Sequence, residues 1–175
     1  GDTEFDGWLR VVDVSDPSNP VEIGGYETPG SALGLALNDD VAYVIGNTGD
    51  TEFDGWLWVV DVSDPSNPVE VGACDIPGDV TDVAVQGSTA YVADWYSLRV
   101  IDVSDPSDPT ELGAYQPWGG AYAVAVEGST AYVASWPGLY VVDVSERSAP
   151  AELGAYWGYP NSSRRVAVDG SIAYL

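Results

Sequence analysis

The sequence predicts an all-β chain built of similar four-stranded sheets, and three observations carry that prediction. One phrase recurs four times, as LRVVDVSDP at 9–17, LWVVDVSDP at 57–65, LRVIDVSDP at 98–106 and LYVVDVSER at 139–147. Its aspartates Asp13, Asp61, Asp102 and Asp143 stand 48, 41 and 41 residues apart, close to the roughly 40–45 residues of a four-stranded propeller blade. Each period holds four short alternating or β-branched stretches separated by turn residues, and no window sustains helical periodicity. A unit of this size cannot bury its own apolar face and must stack on its neighbours. The architecture this predicts is a β-propeller.

Taken in order, the strands of one unit are inner, second, third and outer. In the third unit they are AVAVEG at 123–128, TAYVAS at 130–135, LYVVDVS at 139–145 and AELGAYW at 151–157. The inner strand repeats Ala36, Ala84, Ala125 and Ala167, small residues that suit crowding near a central axis. The second strand repeats Tyr43, Tyr91, Tyr132 and Tyr174, rings able to fill the space between blades. The turn after the third strand reads SDPSNP twice, then SDPSDP and SERSAP. Its Ser and Asp side chains can bond nearby amides, while its prolines fix φ and withhold a ladder donor. Asp13, Asp61, Asp102 and Asp143 therefore read as ties of a turn or neighbouring strand rather than as catalytic groups.

The third strands Leu9 to Asp13, Leu57 to Asp61, Leu98 to Asp102 and Leu139 to Asp143 resemble the LVIVD-repeat family of β-propellers. The VEIG, VEVG, TELG and AELG strands and the Ala-Tyr-Val strands recur in step, so the resemblance spans essentially the whole chain. It implies a propeller of a kind common in secreted or surface proteins of microbes, and it transfers no catalytic residue. Residues 1–175 begin at a third strand and end in a second strand, giving four blade-equivalents, three whole and two half. If the ends pair, the chain is a single closed four-bladed domain; if not, it is a segment of a larger propeller or of an assembly. The second reading is favoured, since an open arc leaves unpaired edges that need covering.

At 45 % hydrophobic and 11 % aromatic, the chain carries enough apolar side chains for a real core. Its formal charge of −23 sets 28 Asp and Glu against five Arg, with no Lys and no His. Such a surface repels phosphate backbones and anionic lipid heads, so the expected partners exclude nucleic acid and direct membrane insertion. The lone Cys74 stands where other units have Tyr26, Tyr115 and Tyr156, and it reads as a packing substitution. No run of 18 apolar residues and no signal peptide is present. Opening on Gly1 and stopping at Leu175 inside a strand, the sequence reads as a processed or incomplete chain.

The longest period owes its excess to GNTGDTEFDGW at 46–56, related to GDTEFDGW at 1–8. Residues 1–22 and 49–70 differ only at Arg10 versus Trp58, the mark of a recent duplication. Within these loops Asp2, Glu4 and Asp6, and again Asp50, Glu52 and Asp54, alternate and are followed by Gly. That pattern can wrap oxygen ligands around Ca²⁺, and calcium is the one cofactor the sequence suggests. The competing reading is a solvated acidic hairpin loop.

Trp8, Trp56, Trp95 and Trp136 fall between second and third strands, and Trp118 and Trp157 between an outer strand and the next inner one. Both connections emerge on the same face of a four-stranded propeller, so these rings, joined by Tyr96, Tyr122 and Tyr159, form a candidate ligand-binding face. Exposed aromatics beside carboxylates suit sugars, whose ring faces stack, or a protein anchored by Trp. The competing reading has them only closing gaps between blades. Arg164 and Arg165 enter the last inner strand, where Asp82 stands in another unit, and can pair across the channel mouth. Asn161-Ser162-Ser163 is a candidate glycosylation sequon.

Without His or Lys, the familiar nucleophile and base arrangements are absent, leaving only an unselected carboxylate pair as in glycoside hydrolysis. The expectation is a non-catalytic extracellular or cell-surface module that binds a protein, a glycan or other copies of itself. The alternatives are a carbohydrate-binding or carbohydrate-processing module using an Asp/Glu pair, and a structural subunit of a surface layer or fibre joined by strand addition.

Overall fold

The computed structural model describes residues 7–49, 54–136, 138–158 and 164–175. Its strands are β1 (Trp8–Asp13), β2 (Val21–Glu27), β3 (Ser31–Asn38), β4 (Val41–Asn47), β5 (Gly55–Asp61), β6 (Val69–Ile76), β7 (Asp82–Gln86), β8 (Thr89–Ala93), β9 (Leu98–Asp102), β10 (Thr110–Tyr115), β11 (Ala123–Glu127), β12 (Thr130–Ala134), β13 (Gly138–Asp143), β14 (Ala151–Trp157), β15 (Ala167–Asp169) and β16 (Ile172–Tyr174). They form three four-stranded sheets, β3–β6, β7–β10 and β11–β14, and two two-stranded sheets, β1–β2 and β15–β16. All pairs are antiparallel between sequence neighbours, a propeller-like arrangement. Among the described residues no sheet closes on itself.

The two-residue side-chain period explains why the sheets stack. In β4, Tyr43 and Ile45 enter one core with Leu57, Val59, Val83, Ala90, Val92 and Ile101 of this sheet and the next. Ala42 and Val44, on the other face of the same strand, join Trp58, Val60 and Leu9 of the preceding sheet. A third core joins Tyr91, Leu98 and Val100 to Val124, Val133 and Val142. Central strands are thus buried on both faces, which is why VVDV and AYV show little polar alternation. Tyr43 and Tyr91 are buried, Tyr132 is half-buried and Tyr174 is exposed, so the repeated ring fills space only where a full sheet follows.

The third and outer strands share one irregularity. Their register shifts between Val11 and Val12, between Val59 and Val60, and between Val141 and Val142, with a matching shift between Glu111 and Gly113. The bulge brings a glycine of the outer strand against the following sheet. A Cβ added at Gly24 would strike the carbonyl oxygen of Pro65, one at Gly72 that of Pro106, and one at Gly113 would stand 2.7 Å from the Ser148 oxygen. Each of these oxygens belongs to the proline-rich turn of the next sheet. Tyrosines near these glycines add clasps, with Tyr26 donating to Glu70 and Tyr115 to Glu152 at 2.7 Å. Cys74 holds the tyrosine position on β6, half-buried and packed against the core around Ile76 and Val80, and burial pushes its thiol up to about 12.

The recurring aspartates tie turns. Asp13, Asp61, Asp102 and Asp143 accept the amide of the serine two residues on, at 2.8–2.9 Å. Asp16, Asp64 and Asp105 repeat the motif three residues later at 3.0 Å. Hydrogen bonding from those serines holds all seven carboxyls below the ordinary aspartate range. Neighbouring inner strands are tied by Gln86, whose amide both donates to and accepts from the Gly128 backbone, and by Asp82, which accepts the Val124 amide at 3.0 Å.

Two outcomes follow from these contacts. Gly72→Val should lower stability by about 1–3 kcal/mol, the usual cost of overpacking, read as a shifted urea midpoint. A depressed carboxyl contributes stability above its unfolded value near 3.8 and loses it as pH falls through its lower folded value. Asp102→Asn keeps an acceptor but cannot titrate, so its stability deficit relative to the parent should shrink on acidification below that value, measured by paired melts from pH 6 to pH 2.

Candidate functional site

The loop joining β10 to β11 crosses from one sheet to the next and carries Trp118 over the boundary between them. Its geometry is set by backbone carbonyls and small residues. Trp118 offers its carbonyl to the Tyr140 hydroxyl at 3.2 Å and to the Ser135 hydroxyl at 3.1 Å. The Ala121 amide donates to the Trp95 carbonyl at 3.1 Å. Gly119 and Gly120, both at φ +89°, press against the carbonyls of Trp136 and Trp95, where any Cβ would collide. The loop is thus pinned between the second-to-third-strand loops of two successive sheets.

Three indoles meet around this loop. The Trp118 centroid lies 5.4 Å from that of Trp136 and 6.1 Å from that of Trp157, and Trp157 meets Tyr140 edge-on at 5.5 Å. Trp118 is 63 % exposed, and Trp136 and Trp157 are also exposed. On the other side, Tyr96, Gln116, Pro117, Trp118, Gly119 and Gly120 line an open cleft of about 360 Å³. Trp95, next to the lining residue Tyr96, stands edge-on to Tyr122 at 5.2 Å, with its own backbone at φ +68°. A non-glycine residue there is strained, a feature that concentrates at binding sites. Burial pushes the Tyr140 phenol up, so it remains a donor to Trp118.

Beneath Trp95 and Tyr96 stands a fully buried carboxylate. Asp94 accepts the amides of Tyr96 at 3.0 Å and Ser97 at 2.5 Å and forms an ion pair with Arg99. Arg99 also reaches Glu111 at 2.7 Å and the Pro77 carbonyl at 3.0 Å. This network fixes the loop that presents Trp95 and Tyr96. Sequence reading missed Asp94, Arg99, Tyr140 and Ser135; the signal available was an arginine standing inside an otherwise apolar third strand.

The structure divides the expected nine-ring face. Trp118, Trp136 and Trp157 come together, and Trp95, Tyr96 and Tyr122 adjoin them across the loop. Trp8 and Trp56 are strand residues rather than loop residues, because β1 and β5 begin earlier than the turn pattern suggested. Trp8 stacks under the Arg10 guanidinium at 5.2 Å, and Trp56 packs half-buried against the Leu9 and Trp58 core. Trp157 closes β14. The Arg165 guanidinium lies 3.6 Å from Asp82, whose carboxyl burial pushes up. Tyr159 and Asn161 lie outside the described residues, as do Asp2, Glu4, Asp6, Asp50 and Glu52 of the acidic loops. Asp54 is described and accepts the Thr48 hydroxyl at 2.7 Å. Among the described residues no three Cys, Asp or Glu are arranged to hold a metal ion.

Comparison with known proteins places this geometry. The structure resembles that of a functionally unknown protein from Desulfotomaculum acetoxidans, at 15 % identity and a TM-score of 0.79, covering 98 % of this chain and 56 % of that one. It also resembles the computationally designed Ika8 protein, at 12 % identity and 0.66, covering 89 % and 46 %. A protein from Lactobacillus plantarum matches at 13 % identity and 0.69, covering 87 % and 53 %. The chain spans about half the length of these proteins, and at such identities the likeness concerns the fold alone. No curated protein matches the chain. The LVIVD repeat profile matches residues 4–28, 29–76, 77–116 and 118–157, in step with the sheets described above, and the chain therefore belongs to the LVIVD repeat family.

Proposed function

We propose that this chain is a non-catalytic recognition module, part of an extracellular or cell-surface β-propeller, whose aromatic rim binds a glycan or protein partner. The observation that carries the reading is the group of three exposed indoles around Trp118 beside an open cleft. Exposed tryptophans are costly to leave wet and are the side chains that most often anchor partners. Their flat faces match the apolar faces of pyranose rings, and Gln116 with the loop carbonyls offers polar partners at the cleft edge. The favoured ligand is a neutral glycan, because a surface with 28 acids against five arginines disfavours anionic partners. The carboxylate under Trp95 and Tyr96, Asp94, is fully buried and occupied by Arg99 and two amides, so it braces that loop instead of offering a base.

Binding to a glycan array, followed by calorimetry on a hit, tests this. Trp118→Ala should cost about 2 kcal/mol or more of binding, roughly thirtyfold in Kd, with an unchanged melting temperature. Full-strength binding by that variant, or a melting temperature that drops without any ligand ever being bound, assigns the rings to gap closure and sinks the reading. Asp94→Ala should lower stability by about 1–3 kcal/mol, because it leaves the amides of Tyr96 and Ser97 and one side of the Arg99 guanidinium without their acceptor while Glu111 still holds the other side, measured by denaturant unfolding.

A further inference from the structure

The cleft beside Trp118 lies across the loop from the three indoles, and its lining has a chemistry of its own. Tyr96 and Trp118, both exposed, reach it from two different loops, and Gln116, Pro117, Gly119 and Gly120 complete it. Its volume of about 360 Å³ stands at the small end for a ligand pocket. A third ring backs Gly120, where an added Cβ would lie 3.9 Å from Tyr122 Cζ, and Trp95 meets that tyrosine edge-on.

Three observations select an occupant. The first is charge. With 28 acids against five arginines and neither Lys nor His, the field over the surface draws cations. The guanidinium beneath this loop, that of Arg99, is held by Asp94, Glu111 and the Pro77 carbonyl, so it does not oppose them. The second is the state of the acceptors. The Trp118 carbonyl already accepts two hydroxyls, and the carbonyls of Trp95 and Pro117 each accept an amide. They keep their dipoles but not the set of aligned lone pairs that a primary ammonium needs in place of its water. A cation without N–H groups needs none. The third is rigidity, because the Tyr96 amide is fixed on Asp94 at 3.0 Å and the loop at Gly119 and Gly120 admits no side chain. Little is left to order when a ligand enters.

We propose that the cleft lined by Tyr96 and Trp118 binds a quaternary ammonium group, the head of a small trimethylammonium compound, against its aromatic rings. Such a head carries its charge under a shell of methyl groups, and the negative face of an aromatic ring attracts it, Trp most strongly. The methyl groups cover apolar ring surface while the carbonyl dipoles and the acidic field supply the electrostatic attraction. This goes beyond the glycan reading and does not rest on it, because Tyr96 belongs to the cleft and not to the three-indole group.

Choline is the probe, titrated into the protein by calorimetry at fixed ionic strength, beside its uncharged carbon isostere dimethylbutanol and beside ammonium chloride. Choline should bind about tenfold or more tighter than the isostere, and ammonium should not displace it. Tyr96→Ala and Trp118→Ala should each weaken choline about tenfold, whereas Tyr96→Phe, which keeps the ring, should retain parental affinity. No saturable choline binding, equal affinity for the isostere, displacement by equimolar ammonium, loss on Tyr96→Phe, or parental affinity in folded Tyr96→Ala and Trp118→Ala overturns the proposal. Should an alanine variant fail to fold, the choline-to-isostere ratio of the parent and the Tyr96→Phe affinity decide it. These titrations contain no sugar, so a blank glycan array leaves their outcome standing.

Discussion

Everything in this molecule depends on sheets that are apolar on both faces. A strand such as VAYVIG cannot satisfy itself in a two-layer sandwich, because residues of both parities need cover. Ala42 and Val44 find it in one direction, Tyr43 and Ile45 in the other. Each buried side chain of this size gains about 1.5–3 kcal/mol relative to exposure, so stacking is enforced along the whole array.

Lateral stacking sets what the connections can do. Once the strands hold the sheets in register, the loops between second and third strands and between outer and inner strands lie beside one another. The loop carrying Trp118 is pinned by two such neighbours through carbonyl contacts that tolerate only glycine at 119 and 120. Rigidity here comes from backbone and from Asp94 with Arg99, leaving the indoles free to face solvent. The candidate site is thus a fixed platform, a geometry in which a ligand would meet little ordering cost.

Acidity has a structural share in this chain. The turn carboxylates bind local amides and gain hydrogen bonds in their charged form, which is why Asp recurs there regardless of any ligand. Others, such as Glu70 and Glu152, close clasps between successive sheets. Where a clasp lacks its tyrosine, at Cys74, Glu111 turns to Arg99 instead. The arginines are few, and three of them pair with carboxylates outside the turns, Arg10 with Glu22, Arg99 with Asp94 and Glu111, and Arg165 with Asp82.

Period, strand count and strand order were legible in the sequence because they depend on local alternation and on turn chemistry, both written in consecutive residues. The β11–β14 strands lie within a residue or two of their expected bounds, and the recurring aspartates tie turns as read. Strand edges around Trp8 and Trp56 were not legible, since a ladder extends wherever a partner strand continues, whatever the local composition. The sequence placed Trp118, Trp136 and Trp157 on one face, but not the separation of Trp8 and Trp56 from them or the bracing of Trp95 by Asp94 and Arg99, because those contacts join residues of different strands and sheets. The sequence by itself determined a repeating sheet that must be covered on both faces; only the tertiary structure decided which rings share one surface and which apolar faces stay open, because packing between sheets is a property of neighbours in space.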